Sequence, residues 1–299
     1  MSTSDLHLFL NPSAGRGRAG KRLPRIRQLL GEAGLTVQVH QSRSVGDLEN
    51  QVRTQAEAGA RRLLIAGGDG SIHEAANGIL LCNSDAALGI IPTGTGNDFA
   101  KAADIPLDWE TATRLLADRI ANDTPPRRVD AATMNNRYFA NGAGIGLDAK
   151  VTSVARSYRL PIGDLVYLLA IFRTIADGIA TPELRIEADG LDHKGPLTLA
   201  SISNGPWIGG MFHIAPMASN NDGLLELLIV EPVTRMRILS LLPKLVQGQH
   251  MQEPEVTHVR IRRARIESQE PVPSHLDGEV QPLASEFDIE IHPEALRLL

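Results

Sequence analysis

Between Leu63 and Leu81 the chain passes from a short apolar run, Leu63-Leu64-Ile65-Ala66, through Gly67-Gly68-Asp69-Gly70-Ser71 into a helix-like stretch. An apolar run of this length that stops in glycines reads as a buried strand. Gly67, Gly68 and Gly70 can take positive φ and let another molecule lie directly on the backbone. Amides exposed there, together with the positive end of the following helix, form a seat for phosphate. Asp69 in the middle of such a seat would repel a polyphosphate unless a cation lay between them. It is therefore read either as a holder of Mg²⁺ or its water, or as a proton acceptor. Taken alone, Gly-Gly-Asp-Gly fits a tight turn with an Asx cap equally well.

A second segment repeats the construction. Ala87-Leu88-Gly89-Ile90-Ile91 leads into Pro92-Thr93-Gly94-Thr95-Gly96-Asn97-Asp98 and then Phe99-Ala100-Lys101-Ala102. In an open parallel sheet, ligands sit beyond the carboxyl ends of the strands, so both loops would face one crevice.

Gly67-Gly68-Asp69-Gly70-Ser71 with Glu74 and Asn77, followed by Gly94-Thr95-Gly96-Asn97-Asp98, resembles the diacylglycerol kinase catalytic domain of soluble bacterial lipid kinases. Asn11-Pro12, Asn220-Asn221-Asp222-Gly223 and Asp277-Gly278-Glu279 extend the resemblance along the chain. Ser71 replaces the threonine more usual in that family and keeps its hydroxyl. The resemblance implies an ATP- and Mg²⁺-dependent kinase acting on a lipid hydroxyl, in the superfamily that also contains NAD kinase.

At 299 residues the chain is long enough for two domains. A hydrophobic fraction of 42% with 22% charged residues describes a globular protein, and a net charge of −5 gives no reason to expect nucleic acid. No secretory leader pattern opens the chain, and no apolar run reaches the roughly 20 residues of a membrane span, so a cytoplasmic enzyme visiting a membrane surface only peripherally is expected. The single cysteine, Cys82, forms no internal disulfide and reads as a core residue.

Leu6 to Leu10 reads as the first strand and about Ala19 to Ala33 as the first helix. Gly15, Gly17 and Gly20 fit G-x-G-x-x-G, but the expected second strand, Leu35 to Val39, runs into His40-Gln41-Ser42-Arg43 with no carboxylate for a ribose. The resemblance instead implies that Asn11 and Ser42 help hold ATP. The β-α alternation through Ala103 predicts a doubly wound, Rossmann-like parallel sheet over residues 1–125. From Arg127 strand-like stretches dominate, including Tyr138 to Gly142, Leu224 to Val230 and Val256 to Ile266. They are interrupted by helical patches at Asp148–Tyr158 and Asp164–Asp177. A β-sandwich-like, lipid-binding domain is expected over 126–292, with residues 293–299 returning to the first domain and an active site in the interdomain cleft.

The resemblance assigns Glu279 as the catalytic base, with Asp69 and Asp98 at the metal and phosphates and Asp130 in the metal-water network. From the residues alone, Asp130 serves equally as an ion-pair partner for Arg127 or Arg128. Asn220-Asn221-Asp222-Gly223 reads first as a hairpin turn. The resemblance adds a second, structural Mg²⁺ bound through the Asp222 carboxylate, with backbone carbonyls of Ser219 and Leu224 as further ligands. Arg260, Arg262, Arg263 and Arg265 form a basic cluster read either as a solvated strand face or as a contact for anionic headgroups. Rival readings are an NAD kinase-like phosphotransferase, a non-catalytic nucleotide-binding regulator, and a hydrolase using His275 and Asp277. The hydrolase lacks a G-x-S-x-G elbow. Acceptor identity (diacylglycerol, phosphatidylglycerol or a sphingoid base) and assembly, monomer or homodimer, are left open.

Overall fold

The computed structural model describes residues 6–158, 163 and 165–299, with the side chains of residues 14–16 outside that set. The chain divides into two compact units, Met1–Asp130 with Glu294–Leu299, and Ala131–Pro293.

The first unit runs β1 (Leu6–Leu10), α1 (Ala14–Glu32), β2 (Gln38–Gln41), α2 (Asp47–Glu57), β3 (Arg62–Gly67), α3 (Asp69–Leu80), β4 (Ala87–Pro92), α4 (Asp98–Ala102) and α5 (Trp109–Ala121). Strand order is β2-β1-β3-β4, every pair parallel. The order reverses between β1 and β3, the topological switch point at which open α/β sheets take ligands. Helices cover the apolar strands, and Leu8, Leu10, Leu64 and Ile91 are wholly inaccessible in the core.

Two boundaries differ from expectation for local reasons. Helix α1 starts at Ala14, so Gly15, Gly17 and Gly20 belong to its first turns and not to a loop. Strand β2 starts at Gln38 because Leu35 is used to close α1: Gly34 adopts φ 74°, and the Leu35 amide donates to the Leu30 carbonyl at 3.0 Å. That is a glycine-terminated helix stop.

The second unit follows from β5 (Arg127–Met134), which straddles the boundary, through β6 (Arg137–Phe139), β7 (Gly142–Gly146), α6 (Leu147–Ser157), α7 (Leu165–Asp177), β8 (Glu183–Ala188), β9 (Leu191–Pro196), β10 (Leu199–Ser203), β11 (Leu225–Val230), α8 (Arg235–Gln247), β12 (Val256–Ile261), β13 (Arg263–Val272), β14 (Ser274–Leu276), β15 (Glu279–Val280) and β16 (Ala284–Leu298). One antiparallel sheet has the order β12-β11-β10-β7-β14-β15, and β16-β13-β8-β9 form a second. Ile145, Ile202 and Leu227 from the first pack with Ile186, Ile266 and Phe287 from the second in one buried cluster, as a sandwich requires. The end of β16 belongs to the first unit, where Arg297 and Leu298 pair in parallel with Ala87 and Leu88 of β4.

Here too the structure corrects the reading. The expected strand Val256–Ile266 breaks at Arg262, and its halves enter different sheets. The four arginines are therefore not one stripe. Asn220–Gly223 is not a tight hairpin, because β11 pairs with β10, which ends at Ser203, and residues 204–224 lie between the two strands. Helix α8 was not anticipated; it contains Pro243 and is started by the Thr234 side chain accepting from the Arg237 amide. No helix among the described residues is long and apolar enough to cross a membrane.

Candidate active site

In the first unit the two glycine loops meet backbone to backbone. A methyl group added at Gly68 would lie 2.9 Å from the Gly94 Cα, and one added at Gly94 would lie 2.5 Å from the Gly68 Cα. A methyl on Gly67 would strike the Ser71 side chain at 2.3 Å. None of these glycines has positive φ. Their smallness is required by close approach, whereas the sequence suggested a left-handed turn. The left-handed residue is Asn97, at φ 52°, just before α4. Its Oδ1 accepts from the Gly94 amide at 3.1 Å and so closes the second loop on itself.

Asp69 opens α3, and its Oδ1 accepts the Phe99 amide at 3.1 Å, joining the start of α3 to the start of α4. Asp98, 7% exposed, pairs with Lys101 at 3.0 Å. Thr93 is fully buried and its amide donates to the Gly67 carbonyl at 2.9 Å, keeping the loops in register. Gly70, Gly94 and Gly96 keep partial access while Thr95 is exposed, so both loops can be approached from outside. Asn11 follows β1 and accepts from the Ser13 amide; Ser42 follows β2 and its amide donates to Leu10. Both stand at carboxyl ends of strands, as Gly68 and Gly94 do.

Glu74 and Asn77 serve the fold. Glu74 accepts the Glu49 amide and ties α3 to α2, while buried Asn77 donates to the His73 carbonyl. Asp130 is 1% exposed, and its Oδ1 accepts from Glu294, a left-handed corner of β16. Arg127 and Arg128 point to the carbonyls of Ala103 and Glu294.

In the second unit Asp277 (φ 49°) and Gly278 (φ 80°) are the two central residues of the β14–β15 hairpin, with Leu276 opposite Glu279. Two positive φ values in a two-residue loop mark a type I′ turn, for which Asp-Gly is a favoured pair. The Asp277 carboxylate accepts the amides of Ala140, Asn141 and Gly142 at 3.0, 2.8 and 3.0 Å. That anchorage turns Asp277 inward, while Glu279, next along, carries a partly exposed carboxylate paired with Arg156 at 2.5 Å. His275, 1% exposed, lies with its Nε2 3.5 Å from Asp148 and its Nδ1 toward the Gly278 amide at 3.4 Å. The hydrolase arrangement of His275 with Asp277 does not form, since His275 faces Asp148.

Asp148 was not singled out from the sequence. A methyl at Gly144 would overlap its Oδ2 at 1.9 Å, so the glycine makes room for this carboxylate. Asp148 also lines an apolar cavity of about 140 Å³ walled by Val151 of α6, Ile171 and Ile175 of α7, and Leu241 and Leu245 of α8. His250 lines the same cavity; burial holds its imidazole below its ordinary pKa, and Nε2 donates to the Ile214 carbonyl at 3.0 Å.

At Asp222 a guanidinium stands where the second ion was expected. Arg260 pairs with Asp222 at 2.6 Å and with buried Glu226 at 3.2 Å, and the other Asp222 oxygen accepts the Leu224 amide at 3.1 Å. Ser219 donates to Asn221. Arg260 thus takes one of the two Asp222 oxygens on which that ion, with backbone carbonyls at Ser219 and Leu224, would depend. Among the basic cluster, Arg260 is thus neutralised, as is Arg265 by Glu267, Glu286 and Asp288.

Residues 5–127 match the family described as the diacylglycerol kinase catalytic domain, and residues 142–299 match the YegS C-terminal NAD kinase beta sandwich-like domain. A protein named "Diacylglycerol kinase" from Bacillus subtilis (strain 168) is 29% identical over 91% of this chain and 88% of its own length. One from Chromohalobacter salexigens, named "Probable lipid kinase YegS-like", is 34% identical over 92% and 86% respectively. A crystal structure of a diacylglycerol kinase from Bacillus anthracis str. Sterne shares the fold with a TM-score of 0.75 at 22% identity, over 99% of this chain and 96% of the other. With both halves matched in order, and a relative above 30% identity spanning nearly the whole chain, this protein belongs to the diacylglycerol kinase-like family of lipid kinases.

Proposed function

We propose that the protein transfers the γ-phosphate of ATP, with Mg²⁺, to a hydroxyl of diacylglycerol or a related lipid. The observation that carries this reading is the backbone contact of Gly68 with Gly94 beside Asp69. It leaves two loops of small residues and amides at the strand ends, with carboxylates among them. Phosphoryl transfer needs positioned phosphates, neutralised charge and a proton acceptor. Gly68, Gly70, Gly94, Thr95 and Gly96, with Ser71 and Asn97, would take the phosphates; Asn11, Ser42 and Asp130 are proposed as supporting nucleotide contacts. Asp69 and Asp98, as hard oxygen donors, fit Mg²⁺, which when bound offsets the phosphate charge. Glu279 takes the acceptor hydroxyl's proton as that oxygen bonds to the γ-phosphorus and the phosphorus-to-bridging-oxygen bond breaks, releasing ADP.

A lipid acceptor is supported by the apolar cavity between α6, α7 and α8. A cavity lined mainly by aliphatic side chains favours an apolar guest. The names of the relatives point the same way. The membrane is visited peripherally from the cytoplasmic side in this reading. Incubating the protein with [γ-³²P]ATP and Mg²⁺, and separately with a lipid extract or NAD⁺, tests it. Label in lipid is expected, and label only in NADP⁺ would refute the lipid acceptor.

A further inference from the structure

Glu279 stands on a strand of two residues, just past a turn, and its side chain is 26% exposed. A carboxylate so placed has three rotatable bonds, and a proton acceptor must be held within hydrogen-bond reach of its proton. What holds it comes from α6. Arg156 Nη1 donates to the Gly278 carbonyl at 3.0 Å and meets Glu279 Oε2 at 2.5 Å, so one guanidinium nitrogen fixes both the turn and the carboxylate that follows it. Among the described residues Glu279 Oε1 makes no such bond. The Gln281 side chain donates only to the Glu279 backbone carbonyl.

The turn is rigid for independent reasons. Asp277 is anchored on three amides, and the Gly278 amide points to His275. Of the two acidic side chains in the Asp-Gly-Glu triplet, Asp277 is held on backbone amides and Glu279 on the guanidinium of Arg156. Helix α6 also presents Asp148 and Val151 to the apolar cavity. The helix that walls the cavity therefore also carries the residue that aims the carboxylate.

We propose that Arg156 is a positioning residue for Glu279: it pins Oε2 and leaves Oε1 directed at the acceptor hydroxyl. The proposal rests on the kinase reading above, with Glu279 as proton acceptor. An exposed ion pair adds little to stability, so its role is to select one orientation. Misplacing a catalytic group by about 1 Å costs on the order of 100-fold in rate. Lysine can reach the carboxylate but cannot reproduce the planar, multi-donor fork.

The experiment measures turnover with ATP, Mg²⁺ and a lipid extract containing diacylglycerol, phosphatidylglycerol and sphingoid base, for wild type, Arg156→Met, Arg156→Lys, Glu279→Gln and the Arg156→Met/Glu279→Gln double variant. Near-ultraviolet circular dichroism and Tm accompany each. Arg156→Met is expected to lower kcat by about 10- to 100-fold with KM for lipid changed less than about threefold. Arg156→Lys should recover part of the loss, and the double variant should be no slower than Glu279→Gln alone. Wild-type kcat in a folded Arg156→Met, or an equal further fall in the Glu279→Gln background, overturns the positioning role while Glu279→Gln inactivity leaves the kinase reading standing. Full activity of Glu279→Gln, or no labelled lipid with wild type, overturns that reading and the proposal with it.

Discussion

The loop pair of the first unit and the Asp-Gly-Glu turn of the second are built from the same residue types, glycine beside an acid, for opposite reasons. Gly68 and Gly94 have no left-handed backbone and are glycines because two chains touch there. Gly278 has a left-handed backbone and open space, the nearest atom to an added methyl being the Tyr167 hydroxyl at 3.7 Å. The acids differ in the same way. Asp69 spans two helix starts by accepting the Phe99 amide, whereas Asp277 accepts three amides and is structural. Composition alone does not separate a glycine that admits a neighbour from one that permits a turn.

Substitutions break this comparison in a ranked order. Asp277→Ala leaves three amides without their acceptor and should destabilise the protein by about 2 to 3 kcal/mol in urea unfolding. An unchanged midpoint would show that water replaces the carboxylate. Gly94→Ala forces a methyl against backbone and should cost about 1 to 3 kcal/mol. It should also weaken nucleotide binding, read by calorimetry. Gly278→Ala should cost only the left-handed penalty of about 1 to 2 kcal/mol. Asparagine, which tolerates that conformation, should be accepted at 278 and rejected at 94. Equal tolerance at both positions would erase the distinction.

The smallest effect is on pH. His250, His213 and His40 all have their pKa lowered, chiefly by burial. The unfolded chain therefore binds more protons than the folded one just below the ordinary histidine pKa of about 6.5. Stability should accordingly fall as pH drops through that value. His250→Gln should flatten the slope, measured as Tm between neutral and mildly acidic pH.

Strands β3 and β4 were legible because each is a short apolar run ending in glycine or proline, at Gly67 and Pro92. Residues that act through partners far along the chain were not legible. Arg156 meets Glu279 across more than a hundred residues, and Arg260 neutralises Asp222 from a neighbouring strand. The strand break at Arg262 is marked only by a one-residue slip in the alternation, from Val259 and Ile261 to Ala264 and Ile266, with Ile261 and Ala264 buried in different sheets. Asp148 was hidden because its only sequence signal is room made by a glycine, Gly144, four residues earlier.

The central claim, that the touching glycine loops seat a nucleotide's phosphates, is met most directly by amide chemical-shift mapping with a Mg²⁺-bound, non-hydrolysable ATP analogue. The largest shifts should fall on Gly68, Gly70, Gly94 and Gly96 and should vanish in Gly94→Ala. Shifts confined to other segments, with those four amides unmoved, would contradict it.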